Sequence, residues 1–186
     1  MRKIALLLFF ALSVTVLKAQ GGFAVNETDP YTKEHILETY TSAFTHSTNK
    51  INALVYNVRI DNNGAMLVVK LYNIIDFKSG EDMTPSLHFL DSAGNVVSYQ
   101  GVNPEINEHI YTSNIHWGFG ITTGSESKKM DIIMLFPLDK ALADYIADAD
   151  IKGVRVQIAQ NIFDYTLKKY ELKIFKKNID FVSTYL

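Results

Sequence analysis

The chain contains no cysteine among its 186 residues. The core must therefore form without disulfide bonds. Thiol nucleophiles, thiolate metal sites and haem attachment through cysteine are excluded for the same reason.

The motifs of common catalytic sites are also missing. There is no G-x-S-x-G, and Ser125 and Ser127 lie in a polar stretch without a neighbouring histidine. There is no H-E-x-x-H, and His109 and His116 are an odd number of residues apart, so a regular strand would direct them to opposite faces. We predict no catalytic residue, no metal site and no cofactor.

No apolar run after residue 19 reaches transmembrane length, so we expect no transmembrane segment in the mature chain. Charge of one sign is not in large excess, since 18 basic residues face 20 acidic ones. Removing the three basic residues of positions 1–19 leaves 15 against 20, a net charge of −5. A mildly acidic chain argues against nucleic acid as a partner.

Residues 1–19 have the pattern of a secretory signal peptide. Arg2 and Lys3 precede an apolar run from Ile4 to Val16, and the small residue Ala19 marks the expected cleavage point. The Ala-Gln ending resembles export signals of Gram-negative bacteria, and the absence of cysteine excludes a lipoprotein anchor. We therefore expect an exported protein, periplasmic or extracellular.

The strongest local signal is a β-hairpin within residues 50–77. Asn63-Gly64 supplies the positive backbone angles of a tight turn between two β-rich runs. The apolar positions expected on the buried side are Leu54, Tyr56, Val58 and Ile60 before the turn, and Met66, Val68, Tyr72 and Ile74 after it.

Residues 20–49 form a separate N-terminal segment ahead of the main domain, 50–186. Asp29-Pro30 can cap a helix, and Ile36, Tyr40 and Phe44 would share one helical face. We predict a helix packed on the sheet. The threonine-rich stretch around Thr39 keeps a strand as the alternative.

The rest of the chain alternates in the manner of hairpin-linked strands. A short helix is expected after Pro137, and a long last strand over residues 165–176. Residues 180–186 either add a short edge strand or trail from the domain. The pattern predicts an all-β, mainly antiparallel fold: an immunoglobulin-like β-sandwich of about eight strands with one short crossover helix. A lipocalin-like barrel and an α+β fold are the alternatives.

The run 109–122 provides the candidate binding residues. Tyr111, Trp117 and their apolar neighbours alternate onto one side, which we expect to be the core side. Thr112, Asn114 and His116 take the other side, and we predict that they form a ligand surface.

The preferred function is a non-catalytic binding or interaction module, with an envelope protein or a glycan as partner. The first alternative is a glycan or peptidoglycan hydrolase, for which Glu105, Glu108 and Asp131 are the nearest acids in sequence. The second is a structural subunit of an envelope assembly, joined through an exposed edge such as residues 181–186.

Overall fold

The structure, a computed structural model, describes residues 23–45, 53–102, 104–117 and 121–186. Side chains are described except at 111, 113–117, 121–123 and 125. This part of the chain contains eleven strands and two helices. In chain order they are β1 Phe23–Thr28, β2 His35–Thr39, β3 Ser42–Phe44, β4 Leu54–Asp61, β5 Gly64–Ile74, β6 Ser86–Asp91, β7 Val96–Gln100, β8 Glu105–Trp117, β9 Ile121–Pro137, α1 Lys140–Asp148, β10 Ile151–Ile158, β11 Asn161–Thr166 and α2 Lys169–Ser183.

The strands form two antiparallel sheets. The large sheet has the order β1-β2-β4-β5-β9-β8, with the short β3 also paired to β4. The small sheet has the order β11-β10-β6-β7. Side chains of both sheets belong to one apolar core. This confirms the predicted mainly antiparallel, β-sandwich-like fold with a short helix, whereas its immunoglobulin-like character stays a prediction.

The predicted β4–β5 hairpin is confirmed. The predicted core side of β5 is wrong for Met66, Val68 and Tyr72, but Ile74 lies in the core as predicted, after a register shift between Leu71 and Ile74 in the pairing with β9. Asp61 pairs with Gly64 across a two-residue turn, and Gly64 has a φ of 110°, which glycine adopts without strain. A two-residue turn pairs even-numbered residues of β4 with odd-numbered residues of β5. The core side of β5 is therefore Ala65, Leu67, Val69 and Leu71, while Met66, Val68 and Lys70 lie on the outer face.

The predicted N-terminal helix is wrong, because this segment forms β1, β2 and β3. The carboxylate of Asp29 accepts hydrogen bonds from the backbone N–H groups of Tyr31 and Thr32, both at 2.7 Å. The Asp-Pro signal is thus used for a turn between β1 and β2 rather than for a helix cap. The threonine-rich stretch that follows is a strand, β2, because it pairs with β4.

The predicted last long strand over 165–176 is also wrong. Strand β11 ends at Thr166 and α2 begins at Lys169, so 180–186 lies in and after a helix rather than in an edge strand. Phe175, Ile179 and Val182 are buried at helical spacing. The carboxylate of Glu171 accepts from the backbone N–H of Lys168 at 2.9 Å and so caps the helix start.

Helix α2 joins the two sheets through Phe175. Its ring centroid lies 5.3 Å from that of Phe44 and 5.1 Å from that of Tyr56, both in the large sheet. It lies 6.0 Å from Phe89 of the small sheet. One ring therefore contacts both layers of the core.

Helix α1 is the predicted short crossover helix. Asp139 caps it by accepting a 2.8 Å hydrogen bond from the backbone N–H of Leu142. Leu138, Leu142 and Ile146 are buried, as expected from their spacing. Neither helix in the described part of the chain is long and apolar enough to cross a membrane.

The β8–β9 hairpin extends beyond the rest of the large sheet. Strand β5 pairs with β9 only from Met130 to Pro137, whereas β8 stays paired with β9 up to Trp117 opposite Ile121. We call residues 109–117 and 121–129 the arm. At about 3.3 Å per residue it extends about 30 Å past the paired body of the sheet.

Candidate functional site

The outer face of the small sheet has a row of four polar side chains in register. Ser98 of β7 pairs with His88 of β6, His88 pairs with Arg155 of β10, and Arg155 pairs with Asp164 of β11. Strand alternation places the row on the side opposite the buried Leu87 and Phe89. The row therefore crosses all four strands on the surface.

The imidazole of His88 is held at both ring nitrogens. Nδ1 is hydrogen-bonded to the hydroxyl of Ser98 at 2.6 Å, and Nε2 to the hydroxyl of Ser86 at 2.9 Å. A neutral imidazole offers one donor and one acceptor, and a hydroxyl can serve either. Burial and, second, the positive charge of Arg155 lower the pKa of His88. The neutral form is therefore the one this environment favours.

Arg155 and Asp164 form a two-bond ion pair beside the histidine. The Nε of Arg155 donates to Oδ1 of Asp164 at 2.6 Å, and Nη2 donates to Oδ2 at 3.0 Å. This carboxylate contact raises the pKa of Arg155 above its ordinary value. Because a guanidinium has five N–H donors, donors remain after these two bonds are made.

A groove of about 510 Å³ runs along this face. Its apolar wall is formed by Leu90 and Val96. Its polar lining consists of three members of the row and three further side chains: His88, Arg155, Asp164, Lys152, Gln157 and Thr166. Gly153 lies in the floor, where a Cβ would lie 3.5 Å from the carbonyl oxygen of Tyr165 and 3.7 Å from Cβ of Leu90. Those are ordinary contact distances, so the absent side chain gives depth to the groove.

The arrangement around His88 differs from that of a serine hydrolase. In a serine hydrolase, the base histidine contacts the nucleophile on one side and an orienting carboxylate on the other. Here both nitrogens of His88 contact serine hydroxyls, and Asp164, in the same row, is bound to Arg155. The groove therefore combines donors and acceptors held by their own hydrogen bonds with the apolar side chains of Leu90 and Val96.

The residues predicted from the sequence to bind a ligand lie in the other sheet, in the arm. Thr112 pairs with Glu126 and is exposed. Asn114 pairs with Gly124, and His116 with Thr122, but these two side chains lie outside the described part of the structure. The same holds for Tyr111 and Trp117, which were expected on the core side. The binding role of Thr112, Asn114 and His116 stays a prediction.

The acids considered for a hydrolase all have local partners. Glu108 forms a 2.9 Å ion pair with Lys128. Asp131 contacts Nε2 of His109 at 3.2 Å, and Glu105 accepts from the side-chain amide of Asn107 at 3.0 Å. Pairing of β8 with β9 puts Glu105 and Asp131 on one face as diagonal neighbours and Glu108 on the other face.

Within the described ranges, no three histidine or carboxylate side chains come together as a candidate metal site. The groove on the small sheet was missed from the sequence. Its signal was the alternation in S-L-H-F-L and V-R-V-Q-I, which directs His88, Arg155 and Gln157 outwards. Nothing in that alternation says that the two strands are neighbours.

Fold and site together define a two-sheet antiparallel domain with a polar groove on an outer face. Comparison of the chain with protein-family models, with curated proteins and with solved structures finds no significant match. Any assignment of function therefore depends on the geometry of the groove itself.

Proposed function

We propose that this chain is an exported, non-catalytic binding module that holds a glycan in the groove of the small sheet. The observation that carries the proposal is the row Ser98–His88–Arg155–Asp164, fixed by its own hydrogen bonds beside a cavity of about 510 Å³. Polar groups held in advance lose little freedom when a ligand binds. Export, to the periplasm or beyond the cell, is supported by the pattern of residues 1–19.

The mixture of groups in the groove suits a sugar. Arg155, Gln157 and Lys152 offer N–H donors, while Asp164 and Thr166 offer oxygen acceptors. Neighbouring sugar hydroxyls donate and accept at the same time, so they match such a mixed set. The apolar wall can lie against the C–H groups of a sugar ring.

A structural subunit of an envelope assembly is the second candidate. It is favoured by β8, which lies at the edge of the large sheet over 13 residues and exposes Ile110. A long edge strand is a template for pairing with another chain. The hydrolase alternative would use Glu105 and Asp131, the diagonal acids on the outer face.

The test is binding of purified envelope polysaccharides and peptidoglycan fragments to the chain beginning at Gln20. A glycan that binds the folded state should raise the melting temperature, and calorimetry should give its affinity. We expect Arg155→Lys to weaken binding by about tenfold, because lysine keeps the charge but loses the two-bond geometry. Gly153→Ala should also weaken it, because a methyl group occupies the floor at distances the fold tolerates.

Thr28→Ala is the matched control, since Thr28 is exposed in β1 of the other sheet. It should bind like the unchanged chain. Loss of binding in Thr112→Ala with none in Arg155→Lys would move the site to the arm. If no glycan raises the melting temperature, the glycan-binding proposal is wrong.

A further inference from the structure

The outer face of the large sheet has a second groove, of about 440 Å³. Its floor crosses three paired strands, with Asn57 of β4, Val68 of β5 and Leu135 of β9 in one row. Asn57 is 3% exposed and Val68 5% exposed, although both lie on the side away from the core. The groove is therefore deep enough to remove a polar side chain from water.

The side-chain oxygen of Asn57 is buried and accepts no hydrogen bond from any residue in the described ranges. Its Nδ2 donates to Oε2 of Glu38 at 3.2 Å. Exchanging the oxygen and nitrogen would set an amide oxygen against a carboxylate oxygen, so this bond fixes the orientation of the amide. The unused group in the floor is thus an acceptor.

A buried acceptor without a donor lowers the stability of the folded chain. A buried polar group without a partner loses its hydrogen bonds to water and gains none in return, and a leucine of similar shape would avoid that loss. Most buried polar groups in folded proteins have a partner, so an exception calls for a specific reason.

The surroundings define which donor would fit. Three carboxylates line this groove, those of Glu38, Asp61 and Glu105, against two cations, Arg59 and Lys70. Arg59 is engaged within the groove, at 3.1 Å from Asp61 and 3.9 Å from Glu38. The excess of carboxylates favours a positively charged donor.

The remaining wall is apolar. Met66, Ile133 and Leu135 line the groove beside Val68. A ligand here needs an apolar body next to its charged group. Arg59 is 38% exposed at the rim, and movement of this long side chain would open the way to Asn57.

We propose that the outer groove of the large sheet binds a small primary amine with an apolar body, whose ammonium group donates to Oδ1 of Asn57. The carboxylate of Glu38, bonded to the same amide, lies beside the ammonium. This site is separate from the glycan groove and does not rest on it.

The test is titration of the chain from Gln20 with 2-phenylethylammonium, followed by nuclear magnetic resonance. We expect the side-chain amide signals of Asn57 and the backbone signals of Val68 to shift with saturation. 3-Phenylpropionate, of similar shape and opposite charge, should leave them unchanged. N-acetyl-lysine amide is a third probe, and weaker binding of this probe would separate a small apolar amine from a lysine side chain.

Two variants assign the interaction. Asn57→Leu should bind the amine at least about tenfold more weakly, and should melt no lower than the unchanged chain because the unpaired oxygen is gone. Glu105→Gln should weaken binding by about two- to fivefold without changing the melting temperature, because Glu105 is exposed.

Gly153→Ala lies on the other sheet and should bind the amine normally, so failure of one groove is distinguishable from failure of the other. Equal shifts with the carboxylate, unchanged affinity in Asn57→Leu, or no shift with millimolar amine would each overturn the proposal. Should Asn57→Leu fail to fold, the amide has a structural role, and Glu105→Gln then decides whether an amine binds.

Discussion

His88 is the residue whose environment couples the groove of the small sheet to pH. Burial and Arg155 lower its pKa below the ordinary 6.5, so the folded chain takes up a proton less readily than the unfolded chain. The stability that His88 contributes is complete above about pH 6.5 and is lost as the pH falls through that value towards the folded pKa.

We expect the free energy of unfolding to fall between pH 7.5 and pH 5.5, and to fall less in His88→Gln. Glutamine cannot titrate but can still bond to the serine hydroxyls. Urea denaturation of both proteins at several pH values measures the difference, and the remaining histidines are common to both. Parallel pH profiles would show that His88 does not titrate differently on folding.

For the residues of this groove, the sequence predicts the face on which a side chain lies but not its neighbours in the sheet. Alternation within V-R-V-Q-I put Arg155 on an outer face, which is correct. Its partner Asp164 lies only nine positions further on, in the next strand, but the other neighbour, His88, lies 67 positions away in the chain. Pairing between β6 and β10 depends on the whole core, which local pattern does not encode.

At the scale of elements, α2 packs against both sheets, and Phe175 is the residue at the centre of that contact. Phe175 is 1% exposed and touches rings from both sheets. We expect Phe175→Ala to lower the free energy of unfolding by about 3–5 kcal/mol, because the cavity would lie where α2 packs against β3, β4 and β6.

Ile174→Ala is the control on the same helix. Ile174 is 44% exposed, so its truncation should cost no more than about 0.5 kcal/mol. Urea denaturation measures both. A small loss in Phe175→Ala would mean that α2 can leave the sheets without unfolding them.

The elements that were mistaken share a physical cause. Residues 165–176 mix aromatic and β-branched residues with lysines, which suits a strand by composition, yet Phe175, Ile179 and Val182 repeat at helical spacing. The buried carboxylate of Glu171 stabilises the helical conformation of this segment. It accepts from the backbone N–H and the hydroxyl of Thr45, at 2.9 and 2.8 Å, as well as from Lys168. A hydrogen bond between residues 45 and 171 cannot be predicted from the pattern of neighbouring residues.

At the scale of the whole molecule, the class of fold was predictable because the hairpins are local and, within the described ranges, a helix separates two strands only once, between β9 and β10. Zero cysteines and a full apolar core are consistent with each other. The order of strands was not predictable, since β5 pairs with β9 across an intervening hairpin that belongs to the other sheet.

The whole-molecule prediction concerns processing. Expressed in a Gram-negative host, the chain should be recovered outside the cytoplasm with Gln20 as its first residue, by intact-mass spectrometry and N-terminal sequencing. Ala19→Lys should accumulate as the longer precursor, because the cleavage site needs a small residue. Ala24→Lys, five positions further on, should be processed normally. Recovery of the unchanged chain with residues 1–19 still attached would contradict export by this route.

The arm has a consequence for how the molecule exchanges hydrogen with solvent. From Met130 to Pro137, β9 is paired with β5 of the sheet body, and from Met130 to Ile133 with β8 as well, whereas from Ile121 to Lys129 it has only β8 among the described strands. Amides in the first stretch become accessible only when the core opens. Amides in the second need only the hairpin to separate. A single strand thus has two protection regimes, and their boundary lies near Met130.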